Sequence, residues 1–205
     1  MQSISELELD SIREFINIGM GKAGKVLNAM LESHIDLSIA EIAILSEDEI
    51  YTFMESDNNE KLSIIEMGFS GEITGTTSLL FPTSCALNLV QALTGDELKD
   101  DDLDAIRVGT LSEIGNIVIN ALMGMISNIL KMRLRYTVPK HSEKSMEGIY
   151  KSAITESPEE NVLIKISTNF NIKNLSIEGN IIIFLSLRAF SKLKKLIALY
   201  IEDIQ

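Results

Sequence analysis

The 205-residue chain has a single cysteine, Cys85, so no disulfide can form within it. A fold without cross-links suits a reducing compartment, and Cys85 itself reads as a small buried apolar residue. Positive charge is also scarce: 18 Lys and Arg stand against 30 Asp and Glu, for a formal net charge of −12. This argues against nucleic acid or an anionic membrane as the main partner, since both require a basic footprint. The opening Met1-Gln2-Ser3-Ile4-Ser5-Glu6 lacks the basic region and apolar core of a signal peptide. The most apolar stretch, about 111–130, is interrupted at helical spacing by Glu113, Asn116, Asn120, Ser127 and Asn128. It reads as a half-buried helix and not as a membrane span, and a cytoplasmic protein is expected.

The usual tools of catalysis are missing as well. The only histidines, His34 and His141, lie far apart in sequence and read as surface residues. No Ser-His or Cys-His pairing suggests an activated nucleophile, and no Cys/His cluster has metal-ligand spacing. Gly19-Met20-Gly21-Lys22 falls in the middle of a helical pattern, where it cannot cradle a phosphate.

What the chain does contain is one short helical pattern, twice. Glu14-x-x-Asn17-Ile18 recurs as Glu113-x-x-Asn116-Ile117, 99 residues later. Residues three apart share a helix face, so each Glu/Asn pair projects together. In the first copy Asn17, Gly21 and Lys25 share the face of Glu14, opposed by Ile12, Ile16, Gly19, Ala23, Leu27 and Met30. In the second, Glu113, Asn116, Asn120 and Gly124 oppose Val118, Leu122, Met125, Ile126 and Ile129. One such pair is ordinary for an amphipathic helix. Two at equal spacing, each beside a small residue that lets a partner approach, mark a repeated site.

The surrounding elements repeat too. A long helix over 8–33, with Asp10 near its start, precedes a strand at 35–39 and one or two short strands over 41–54. A turn covers 56–60. Strands at 62–69 and 73–81 flank Ser70-Gly71 as an antiparallel hairpin, followed by a helix from Pro82 to about Leu93, closed by Gly95. The acidic stretch 96–104 reads as a solvated joint. The second half has a helix over 102–131, a strand over 132–138 ending at Pro139, a loop over 140–148 and a strand over 150–155. A turn at 157–160, a strand over 161–167, a strand over 175–187 interrupted at Gly179, and a helix over 188–201 complete it. Repeats of this length indicate duplication. The expected fold is one α+β domain over 1–205, made of repeats at about 1–99 and 100–205. A pseudo-twofold axis would relate them, with a mostly antiparallel sheet whose surface is in part only half covered.

A Glu/Asn pair positions rather than attacks. A carboxamide both donates and accepts, so it can orient a water for in-line attack on phosphorus, as glutamines do in some phosphoryl transfers. A neighbouring carboxylate can pair with a partner's lysine. The pattern resembles the CheC/CheX/FliY phosphatases of chemotaxis, whose signature is Asp/Ser-x-x-x-Glu-x-x-Asn followed by 22 residues and a proline. Glu113, Asn116 and Pro139 keep that spacing, with Gly109 at the Asp/Ser position; Asp10, Glu14 and Asn17 match in the first copy, with Ala40 at the proline position. Two sites in one chain resemble CheC, whereas CheX has one site and dimerises, so a monomer is expected. The resemblance implies a CheC-like fold and hydrolysis of the aspartyl-phosphate of a CheY-like response regulator. Asn17 and Asn116 would align the water, and Glu14 and Glu113 would pair with the regulator's lysine. No cofactor is expected on this chain, Mg2+ being carried by the regulator. CheC relatives also bind the receptor deamidase CheD, although no residue here is matched to that contact. The alternative is a non-catalytic adaptor or sequestering protein of the same fold.

Overall fold

A computed structural model describes residues 4–31, 34–56, 60–94, 103–172 and 175–204. The turn residues 57–59 and 157–159, Gly95 and the acidic stretch from 96 to 102 lie outside the described residues. The first half runs α1 (Glu6–Leu31), β1 (Ile35–Leu45), α2 (Glu47–Ser56), β2 (Leu62–Gly71), β3 (Gly75–Pro82) and α3 (Thr83–Thr94). The second half runs α4 (Leu103–Ile129), β4 (Leu134–Tyr136), β5 (Lys140–Lys144), α5 (Met146–Glu156), β6 (Asn161–Ile172), β7 (Leu175–Ser186) and α6 (Leu187–Ile204).

All strands join one antiparallel sheet in the order β1-β6-β7-β3-β2-β4, with β5 also paired to β2. Strands of one half thus pair with strands of the other, β1 with β6 and β3 with β7. Exchanging β1 for β4 and β5, β2 for β6, and β3 for β7 turns the order into its own reverse. A pseudo-twofold therefore passes between β3 and β7. The fold is mixed helix and antiparallel sheet, as the sequence pattern indicates.

Period-2 alternation sends alternate strand residues to opposite faces. Ile65, Met67, Leu79, Phe81, Ile164, Ile166, Ile181 and Ile183 build the large core beneath α1, α3, α4 and α6. Ile64, Leu80, Leu163, Ile182 and Phe184 face the other way, against Ile50 of α2 and Met146, Ile149 and Tyr150 of α5. Tyr150 Oη donates to Glu47 Oε1 at 3.1 Å and stacks edge-on against Tyr51, joining the two short helices. Beyond them this face carries half-buried Lys165, Ser167, Asn169 and Asn171.

Several sequence expectations need correction. Residues 47–56 form α2, not strands, and residues 146–156 form α5, not a loop and a strand. The overlooked signals are caps. Ser46 and Glu49 close a capping box, with Ser46 N donating to Glu49 Oε2 at 2.8 Å. Ser145, 99 residues on, accepts from Gly148 N. α1 likewise starts at Glu6, two residues before the expected 8, at a Ser5/Glu8 capping box. Residues 140–144 form β5, and the strand expected over 132–138 is shortened to Leu134–Tyr136. β7 is continuous through Gly179, which pairs with Thr168. The glycine is needed because a Cβ there would stand 2.7 Å from Phe81 Cε1. His141 is half-buried in β5, its Nε2 2.8 Å from Ser63 Oγ, and burial holds its pKa below the ordinary value; His34 is exposed, as expected.

The Ala40/Pro139 difference has a structural counterpart. In β1, Ile39 pairs with Thr168 and Glu41 with Ser167, so Ala40 sits in a bulge of one continuous strand. Pro139 has no N–H to give the ladder, and the equivalent strand is split there into β4 and β5.

Candidate functional site

The two Glu/Asn pairs lie on α1 and α4, the longest helices, packed on one another over the large core. Around the first pair, Ile12, Phe15, Ile16 and Met20 are buried, turning Glu14 and Asn17 outward; both are exposed. Around the second, Leu111, Ile114, Val118 and Ile119 are buried, leaving Glu113 exposed and Asn116 half-buried. The wheel predicts these faces well, with one exception: Met30 is 45% exposed and not buried.

Two glycines make the arrangement possible. A Cβ on Gly19 would lie 2.9 Å from Leu122 Cα, so α1 and α4 cross in close backbone contact there. A Cβ on Gly115 would lie 2.7 Å from Ile65 Cβ, so α4 presses directly on β2 beside Asn116. Gly21 and Gly124, on the outer faces, would meet nothing within 4 Å. They leave bare backbone beside the pairs.

The helices run antiparallel. Gly19 opposes Leu122, while Lys25, Val26, Ala29 and Met30 share a shallow depression with Glu113 and Ile117. At 1.5 Å rise per residue, Asn17 and Asn116 are offset by about 12 Å along the helix pair. The pairs are thus two separate outward sites, not one shared pocket. Each combines an acceptor-only carboxylate with a carboxamide that can donate and accept. Apolar residues surround them: Ile18, Val26, Met30 and Val108 are 39%, 49%, 45% and 36% exposed. Of these, Val26 and Met30 escaped the sequence reading as surface. The wheel sets Met30 opposite Glu14, so the pattern carries no sign of its exposure.

Asp10 forms an exposed ion pair with Arg13 at 2.8 Å, and Gly109 is exposed with no neighbour to its Cβ position. Arg107 and Glu143, 3.3 Å apart, tie the start of α4 to β5. Among the described residues no group of His, Cys, Asp and Glu gathers as a metal site. By length and composition Ala105–Ile129 is long and apolar enough to cross a membrane; half of it is buried against α1 and the sheet.

The fold, mixed helix and antiparallel sheet, is of the CheC-, FliY- and CheX-type. The chain is homologous to two Bacillus subtilis proteins of that class. It is 25% identical over 156 residues to the CheY-P phosphatase CheC, covering 75% of this chain and 74% of that protein. It is 20% identical over 177 residues to the flagellar motor switch phosphatase FliY, covering 85% of this chain and 45% of that protein. No family model matches the chain. Among solved structures, Thermotoga maritima FliY superimposes with a TM-score of 0.73 at 17% identity, covering 97% of this chain and all (100%) of that one. The Helicobacter pylori FliM middle domain gives 0.65 at 13%, covering 94% and 99%. The Borrelia burgdorferi CheX-CheY-BeF3-Mg2+ complex gives 0.51 at 16%, covering 84% and 98%.

Proposed function

We propose that this chain is a phosphatase that hydrolyses the aspartyl-phosphate of a CheY-like response regulator. The observation that carries the reading is the doubled Glu-x-x-Asn face, held outward at equivalent places of a duplicated fold. The homology to CheC, a CheY-P phosphatase, supports it, as does the likeness in fold to a CheX crystallised with CheY. In this mechanism each site works in trans. Asn17 or Asn116 enters the regulator's site, and its carboxamide holds a water in line with the phosphorus–oxygen bond to be broken. Glu14 or Glu113 pairs with the regulator's lysine and fixes the register. The apolar side chains Ile18, Val26 and Met30 bury surface against the regulator, and the bare helix at Gly21 permits close approach. The regulator supplies the acyl phosphate and its Mg2+. Catalysis is then positioning with little covalent work by this chain. The protein acts as a cytoplasmic monomer, since the duplication already supplies two sites.

The test is the Asn17→Ala/Asn116→Ala double variant. It should lose about 10²-fold in turnover, the usual penalty for a misplaced reacting group, while its far-UV circular dichroism and regulator binding persist. Undiminished turnover would count decisively against the assignment. Binding of the phosphorylated regulator by wild-type protein without accelerated hydrolysis would instead establish an adaptor or sequestering role.

A further inference from the structure

The two sites are not equivalent. One helical turn beyond Asn116, Asn120 donates its Nδ2 to Asn116 Oδ1 at 2.7 Å. The position 99 residues earlier is Gly21, so Asn17 has no carboxamide one turn on. The pairs are identical in sequence and differ in how the asparagine is held. Asn17 is exposed, with open space at the Cβ position of Gly21 one turn on, whereas Asn116 is half-buried and bonded.

A free carboxamide on a helix surface rotates between its two flips, which exchange donor and acceptor. An Oδ1 engaged by a neighbour cannot exchange on its own without losing the bond. Asn116 therefore keeps one Oδ1 lone pair and both N–H donors aimed away from Asn120. A neutral hydrogen bond of this kind biases an orientation by about threefold to tenfold. Gln/Asn-type pairs at this spacing stabilise helices in the same way.

We propose that Asn120 is a positioning residue for the second site, holding the Asn116 carboxamide in one orientation for the water it aligns. This rests on the phosphatase reading. It makes the second site preorganised, while the first relies on the regulator to order Asn17.

The experiment uses the full chain carrying Asn17→Ala, so that only the second site turns over. Adding Asn120→Ala should lower kcat about threefold to tenfold with KM changed less than about twofold. Asn120→Gln, which can donate across the same spacing, should restore kcat. In parallel, side-chain 15N relaxation on the unmodified chain should show a higher order parameter for the Asn116 amide than for Asn17. That difference should vanish in Asn120→Ala. An unchanged or raised kcat in Asn120→Ala, or equal order for the two amides in the unmodified chain, overturns the proposal. Absence of turnover by the unmodified chain would be a failure of the phosphatase reading, and the relaxation data would still decide whether Asn120 orders Asn116.

Discussion

Two glycines two residues apart on α1 should respond oppositely to the same substitution. Gly19→Ala places a methyl 2.9 Å from Leu122 Cα and 3.3 Å from Ala121 O, and neither backbone atom can turn aside. The helices must separate by several tenths of an ångström across a well-packed interface, and overpacking of this kind costs about 1–3 kcal/mol. Alanine recovers about 1 kcal/mol of helix propensity. The net effect is a destabilisation of about 0–2 kcal/mol. Gly21→Ala gains the propensity and meets nothing within 4 Å, so it should stabilise by about 0.5–1 kcal/mol. The difference between the variants, about 1–3 kcal/mol, corresponds to roughly 2–12 °C in Tm for a domain of this size. Differential scanning calorimetry on both proteins reads it directly. Equal shifts, or a Gly19→Ala protein more stable than Gly21→Ala, would refute the close crossing of α1 and α4.

The second face of the sheet has its own test: Tyr150→Phe removes the bond to Glu47 and should cost about 1–2 kcal/mol in urea unfolding. Burial, followed by the Glu47 and Tyr51 contacts, raises the Tyr150 pKa well above its ordinary value. Its contribution is therefore complete below about pH 10 and lost at higher pH, a loss that Tyr150→Phe should abolish. His141 behaves in the opposite sense, its folded pKa being lowered first by burial and then by Arg107, against Glu143. The unfolded chain binds its proton more readily, so the advantage of the native state is intact above about pH 6.5 and declines as pH falls. The Tm of the wild type minus that of His141→Gln should therefore decrease from pH 7.5 to 5.5; a constant difference would contradict the buried placement.

The long helices, the β2–β3 hairpin, β6 and the Glu/Asn faces were legible because each carries a sustained period of 3.6 or 2. The short helices were not. α2 and α5 cover a small patch of the second face, so only a few positions such as Ile50, Ile149 and Tyr150 need be apolar. The pattern is then too brief to separate from a strand, and the capping serines Ser46 and Ser145 were the more informative residues. β5 was hidden because Lys140-His141-Ser142-Glu143-Lys144 is polar throughout; it is held by pairing with β2 and not by burial. Gly179 suggested a break because glycine weakens strands, yet here it makes room for Phe81. In the site, both pairs could be placed on outward faces, but the Asn120–Asn116 bond could not. A helical wheel puts the two on one face without showing whether they touch.

The most direct test of the phosphatase assignment is the decay of a phosphorylated CheY-type regulator with this protein present at substoichiometric amounts. The account predicts faster decay, with many regulators dephosphorylated per chain. A decay rate identical to that of the regulator alone, with binding of the phosphorylated form verified in the same solution, would contradict it.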